Sequence, residues 1–117
     1  MSTVTLSAVL SVCTDYLFET GTLHGCLRAA GLDGDGCDVK VFCNEYCRVT
    51  LTRGPDSPTS PFYYHDYVQH AVTVFGRVFD TKVSSVRRCW NAFVEDIGRR
   101  FPGAKVRVCA LEIGMEE

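Results

Sequence analysis

No stretch of this chain approaches the ~20 consecutive apolar residues that a transmembrane helix requires. Met1 to Leu10 also lacks the basic flank and long apolar run of a signal peptide. Together these absences predict a soluble protein of the cytoplasm or nucleus with no membrane partner. No charge sign dominates either: 12 basic against 14 acidic residues leave a formal net charge of −2. A field of that sign does not draw polyanions from a distance, so any nucleic-acid contact needs a local basic patch. Three of the 4 prolines fall between Arg53 and Pro61, where Gly, Ser and Asp accompany them, and that segment reads as an exposed loop. Spacings of the G-x-S-x-G, H-E-x-x-H, P-loop and zinc-deaminase kinds do not occur, which excludes the enzyme classes they mark. A thiol nucleophile such as Cys43 with His65 as its base is the catalytic reading left open.

What is present fits one ordinary globular domain spanning residues 1–117, with 46% hydrophobic and 22% charged residues. The 7 cysteines are an odd number in a chain without a secretory signal, so they are expected as reduced thiols or metal ligands and not as a disulfide framework.

Hydrophobic spacing predicts an α+β fold with three helices and a small antiparallel sheet. Leu6, Val9, Leu10, Cys13 and Leu17 recur at helical intervals over 6–19, and Gly21 supplies a stop. The stretch after Thr22 is ambiguous, and Gly31 to Gly36 reads as a turn-rich loop without the ligand spacing of a calcium site. Period-two alternation then predicts two strands, one carrying Val39, Val41 and Cys43 and the other Cys47, Val49 and Leu51, joined as a hairpin through Asn44, Glu45 and Tyr46. A second helix is expected from the stripe Val68, Ala71, Val72, Phe75 and Phe79. A third is expected from Val83, Val86, Trp90, Phe93, Val94 and Ile97, capped by Asp80 or Thr81 and ended by Gly98 and Pro102. Alternation from Lys105 to Ile113 predicts a last strand.

The order of paired cysteines on a hairpin and paired histidines on a following helix suggests a metal site. Cys43 and Cys47 stand at C-x3-C and His65 and His70 at H-x4-H, and a tetrahedral zinc ion takes four such nitrogen and sulfur ligands. Over residues 38 to 75 this resembles the ββα zinc finger of the Cys2His2 type, with a middle spacer of 17 residues where that family has about 12. The resemblance implies a zinc-stabilised hairpin-plus-helix element over about 37–75. His24, Cys26 and Cys37 are rival third and fourth ligands. Buried core thiols at Cys43 and Cys47, with histidines flanking a helix start, are the competing reading. Cys13, Cys89 and Cys109 are expected in the core.

Arg87, Arg88, Arg100, Lys105 and Arg107 form a second pattern, read either as a solvated face or as a phosphate-contacting patch with Tyr63, Tyr64 and Tyr67 offering rings for bases. On that same polar helical face, Glu95 and Arg99 are spaced as an i, i+4 ion pair. In its size, its cysteine content and its Cys43, Cys47, His65, His70 set, the whole chain resembles the sobemovirus silencing suppressors. That resemblance implies a zinc-binding viral accessory protein that suppresses host RNA silencing through single-stranded RNA or a host silencing factor. The alternative is a protein-interaction or homo-oligomerisation module using Trp90 and Phe93 or a free strand edge.

Overall fold

Aliphatic residues alternate with Thr5, Ser7, Val9 and Ser11 from Val4 to Val12, and in the computed structural model this run is strand β1 (Val4–Thr14). The structure describes residues 2–14, 20–52 and 64–116, with backbone alone for 46–52 and 64–67. After β1 come α1 (Thr20–Ala29), β2 (Cys37–Thr52), β3 (Tyr64–Val78), α2 (Val83–Arg100) and β4 (Lys105–Met115). The four strands form one antiparallel sheet in the order β2-β3-β1-β4. A βαββαβ chain with this strand order is the ferredoxin-like, split βαβ arrangement. Among the described residues no helix is long and apolar enough to cross a membrane.

Two of the three expected helices are therefore strands, and the expected hairpin-plus-helix element is absent. Residues 6–19 contain both periods. Val4, Leu6, Ala8, Leu10 and Val12 are all buried on one face, whereas Val9, which completes the helical stripe, is 36% exposed on the other. The same conflict recurs in β3, where Val68, His70, Val72 and Val74 are buried and Phe75 is 42% exposed. Branching at Cβ favours the strand: four valines and a threonine stand between Val68 and Val78. The expected hairpin at Asn44 to Tyr46 is instead one continuous strand. Its ladder with β3 slips by one residue between Glu45 and Cys47, and the extra residue is accommodated as a bulge.

α1 occupies the stretch whose sequence is ambiguous. Its C-terminus explains the glycine at 31: Gly31 has φ 79°, its N–H donates to the Arg28 carbonyl, and the Leu32 N–H donates to the Leu27 carbonyl at 2.8 Å. This is the Schellman arrangement, with Leu32 fully buried as its apolar anchor. α2 carries the expected stripe, with Val86, Trp90, Phe93 and Ile97 buried. Its N-cap is Lys82, which makes no side-chain cap bond, and the helix runs past Gly98 to Arg100. On α2 the acid that pairs with arginine is Asp96, at 2.8 Å from Arg100 and 3.9 Å from Arg99, where the spacing suggests Glu95. Both helices lie on one side of the sheet, and the core consists of the even-numbered residues of β1, the matching residues of β2 and β3, and the apolar stripes of α1 and α2.

The open face of the sheet as candidate binding site

With both helices on one side, the other face of the sheet is left uncovered among the described residues. Register places Asp38, Lys40, Phe42 and Asn44 of β2 on that face. Gln69, Ala71, Thr73, Phe75 and Arg77 of β3 join them, with Thr5, Ser7, Val9, Ser11 and Cys13 of β1 alongside. β4 adds Lys105, Arg107, Ala110 and Glu112. Most of these side chains are small or polar, as on the wet side of an antiparallel sheet. Two aromatic rings are the exception. Phe42 is 51% and Phe75 42% exposed, and the rings stack on each other with centroids 5.7 Å apart and planes at 16°. Lys40 pairs directly with Phe75 in the ladder, and Arg77 follows two residues along β3.

Beside the rings is a depression of about 210 Å³ lined by Asp38, Lys40, Phe75, Gly76 and Arg77. A second, of about 250 Å³, lies toward β4 between Val9, Ser11, Ala71, Arg107 and Cys109. The first is lined by two cationic residues, Lys40 and Arg77, and the second by one, Arg107, and each has a small residue in its lining, Gly76 and Ala71 respectively. Arg77 is held by Glu116 at 3.1 Å and is itself more than half exposed, so the pair is a solvated one of small energetic weight.

The expected basic patch is divided by the sheet. Arg87 and Arg88 are exposed on α2, and Arg100 lies about 20 Å further along that helix at 1.5 Å per residue. Arg100 is engaged by Asp96, and Arg88 donates to the Ser85 hydroxyl at 3.4 Å. Lys105 and Arg107 are on the opposite layer, on the open face, where they pair with Cys13 and Ser11. The rings expected at Tyr63, Tyr64 and Tyr67 lie outside the residues whose side chains are described. Phe42 and Phe75 supply aromatic surface instead. Their signal in the sequence is period-two placement among polar neighbours, which a helical reading of 68–79 conceals.

The proposed zinc ligands fare similarly. His65 and His70 lie on a strand, where five residues span about 16 Å, roughly twice the 7.5 Å that H-x4-H spans along a helix. Cys43 pairs with Val72 and His70 with Glu45, so Cys43 and His70 are diagonal neighbours on the helix-facing side, where His70 is buried. Cys47 pairs with Gln69, beyond the bulge. Of the four residues the sheet thus brings two together, and the side chains of Cys47 and His65 lie outside the described residues. Among the rivals, His24 is on α1 with its Nδ1 at 3.1 Å from the Thr20 carbonyl, Cys26 is buried in the core, and Cys37 stands six residues from Cys43 along β2. Among the described residues no group of three or more His, Cys, Asp or Glu side chains is placed to hold a metal ion. Cross-strand hydrogen bonds join β2 to β3. Treatment with EDTA is accordingly expected to leave the melting temperature unchanged. A fall of several degrees would restore a structural metal.

Burial disfavours the thiolate form at Cys26, Cys37 and Cys43. Burial raises Cys43 above the ordinary thiol value and pushes Cys26 up to about 11 against the opposing pull of Arg100. Cys37 is raised by burial first and then by Cys89 and Asp33. Cys43 and His65 are separated by about 23 Å along the ladder, at the rise per residue of a strand, so they form no catalytic pair. Of the three cysteines expected in the core, Cys13 and Cys89 are half-buried and Cys109 is exposed at a bulge in β4.

No protein-family model and no curated protein matches this chain. Among solved structures it is similar to the de novo designed protein Foldit4, at 11% identity over 97% of this chain and 99% of that one, with a TM-score of 0.47. So distant a likeness carries no argument about the site.

Proposed function

We propose that this protein is a non-enzymatic binding module whose open sheet face holds single-stranded RNA. The observation that carries this reading is the exposed Phe42 and Phe75 pair with Lys40 and Arg77 beside it. Bases stack on such rings whatever their sequence, at about 1–3 kcal/mol each, while nearby cations take the phosphates. Ferredoxin-like sheets are one architecture on which aromatic residues of the open face seat bases, although the fold by itself assigns no function. Lys105 and Arg107 extend the cationic track toward β4. Neither zinc nor a silencing role is needed for this reading.

Fluorescence anisotropy with a labelled single-stranded RNA tests it. Affinity is expected to fall steeply as salt rises, and Phe75→Ala is expected to weaken binding about tenfold. Lys40→Ala should reduce the slope of log affinity against log salt by about 0.7, the value for one phosphate contact on a single strand. Absence of binding at about 50 mM salt would overturn the RNA reading. That outcome would favour the second reading, a protein-interaction module. Trp90 and Phe93 take no part in such a surface, because they are 2% and 0% exposed in the core.

A further inference from the structure

The outer edge of β4 pairs with no other strand among the described residues, and the order of its charges is self-complementary. Lys105 and Arg107 stand near one end and Glu112 near the other, all exposed. Among the described residues neither Arg107 nor Glu112 forms an ion pair within the chain. The nearest recorded partner of the Arg107 guanidinium is the Cys109 sulfur, at 3.9 Å.

We infer that β4 pairs antiparallel with β4 of a second copy about a two-fold axis between Cys109 and Ala110, making one continuous eight-stranded sheet. In this register Arg107 lies opposite Glu112 of the second copy, and by symmetry the pair occurs twice. Val108 then faces the other copy's Leu111, and Val106 its Ile113. The bulge is what permits it. Residues 107 and 112 are an odd number apart and would ordinarily point to opposite faces. Here the extra residue in β4 puts Arg107, which pairs with Ser11, and Glu112, which pairs with Ser7, on the same open face. Val106, Val108, Leu111 and Ile113 share the helix-facing side in the same way, so the half-exposed apolar row at this edge would continue across the axis. Unlike charges directly opposite each other stabilise a strand pair, and like charges destabilise it. An isologous contact of this kind closes at two copies. It also sets the two open faces side by side on one surface.

Light scattering or sedimentation across a concentration series reads the association directly. The expected result is a species of twice the 13.0 kDa chain mass. Arg107→Glu is expected to weaken it about tenfold or more, because two like-charge pairs replace two unlike ones. The double variant R107E/E112R should restore it, since the swap recreates both pairs in reverse. An independent readout uses the wild-type chain. In the proposed register the two Cys109 Cα atoms lie roughly 6 Å apart, within the range a disulfide spans. Diamide, which takes up two electrons and two protons as two thiols form one S–S bond, should therefore give a covalent dimer that Cys109→Ser abolishes. A monomer at every concentration, or a dimer indifferent to both charge reversal and Cys109→Ser, would overturn the inference. Because mass and cross-linking are read without RNA, failure here leaves the RNA reading standing.

Discussion

Gly76→Ala is expected to destabilise the protein by about 3 kcal/mol, near the upper end for forcing an extra methyl group into a filled space. Gly76 stands two residues before the end of β3, with φ 156°, opposite Val39 on one side and Leu6 on the other. A Cβ built there would collide with the Asp38 carbonyl oxygen and the Val39 Cα. Both are backbone atoms of the neighbouring strand, so no side chain can rotate away, and relief requires β2 to move off β3. Asp38, Lys40 and Phe42 would shift with it, and the binding face would lose its geometry along with its stability. A urea titration followed by circular dichroism measures the loss as a shift in midpoint without a change in slope. Gly114→Ala is the matched control. A Cβ at that β4 position meets nothing within 4 Å, and replacing a strand glycine by alanine there should be neutral or stabilising by up to about 1 kcal/mol. Equal effects at the two sites would show that backbone entropy, and not the close approach of β2 to β3, governs Gly76.

Trp90→Ala should cost about 3–5 kcal/mol, the range for removing a large aromatic side chain from a packed core. Trp90 is 2% exposed on α2 and lies against Phe93, with ring centroids 5.6 Å apart and planes tilted by 33°. It belongs to the row Val86, Trp90, Phe93, Ile97 that seats α2 on the sheet. Domains of this size are stable by roughly 5–15 kcal/mol, so the loss would bring the chain close to unfolding at ambient temperature. Trp90 is the single tryptophan, which makes its fluorescence a clean probe of the wild type, and the variant is followed by circular dichroism. A cost below about 1 kcal/mol would be that of a surface residue and would return Trp90 to the role of an interaction anchor.

α2 is legible because its stripe from Val83 to Ile97 spans several turns with no competing alternation, and β4 because Lys105 to Val108 alternates cleanly. The Gly31 turn is legible because glycine accepts the positive φ that a helix C-terminus needs. β1 and β3 are not. Val9, Ala71 and Phe75 complete a helical stripe in the sequence, yet in the sheet they belong to the outward face. The expected zinc element inherited that error, since the histidines of H-x4-H are about 7.5 Å apart along a helix and about 16 Å apart along a strand.

Short-range forces made three features legible in the sequence: the amphipathic helix from Val83 to Ile97, the last strand and the turn at Gly31. The tertiary structure decided which of two periods each ambiguous segment obeys. A strand forms only where a neighbour supplies its hydrogen bonds, and β1, β2 and β3 draw those neighbours from tens of residues away. That long-range pairing placed Phe42, Phe75, Lys40 and Arg77 together on an uncovered face.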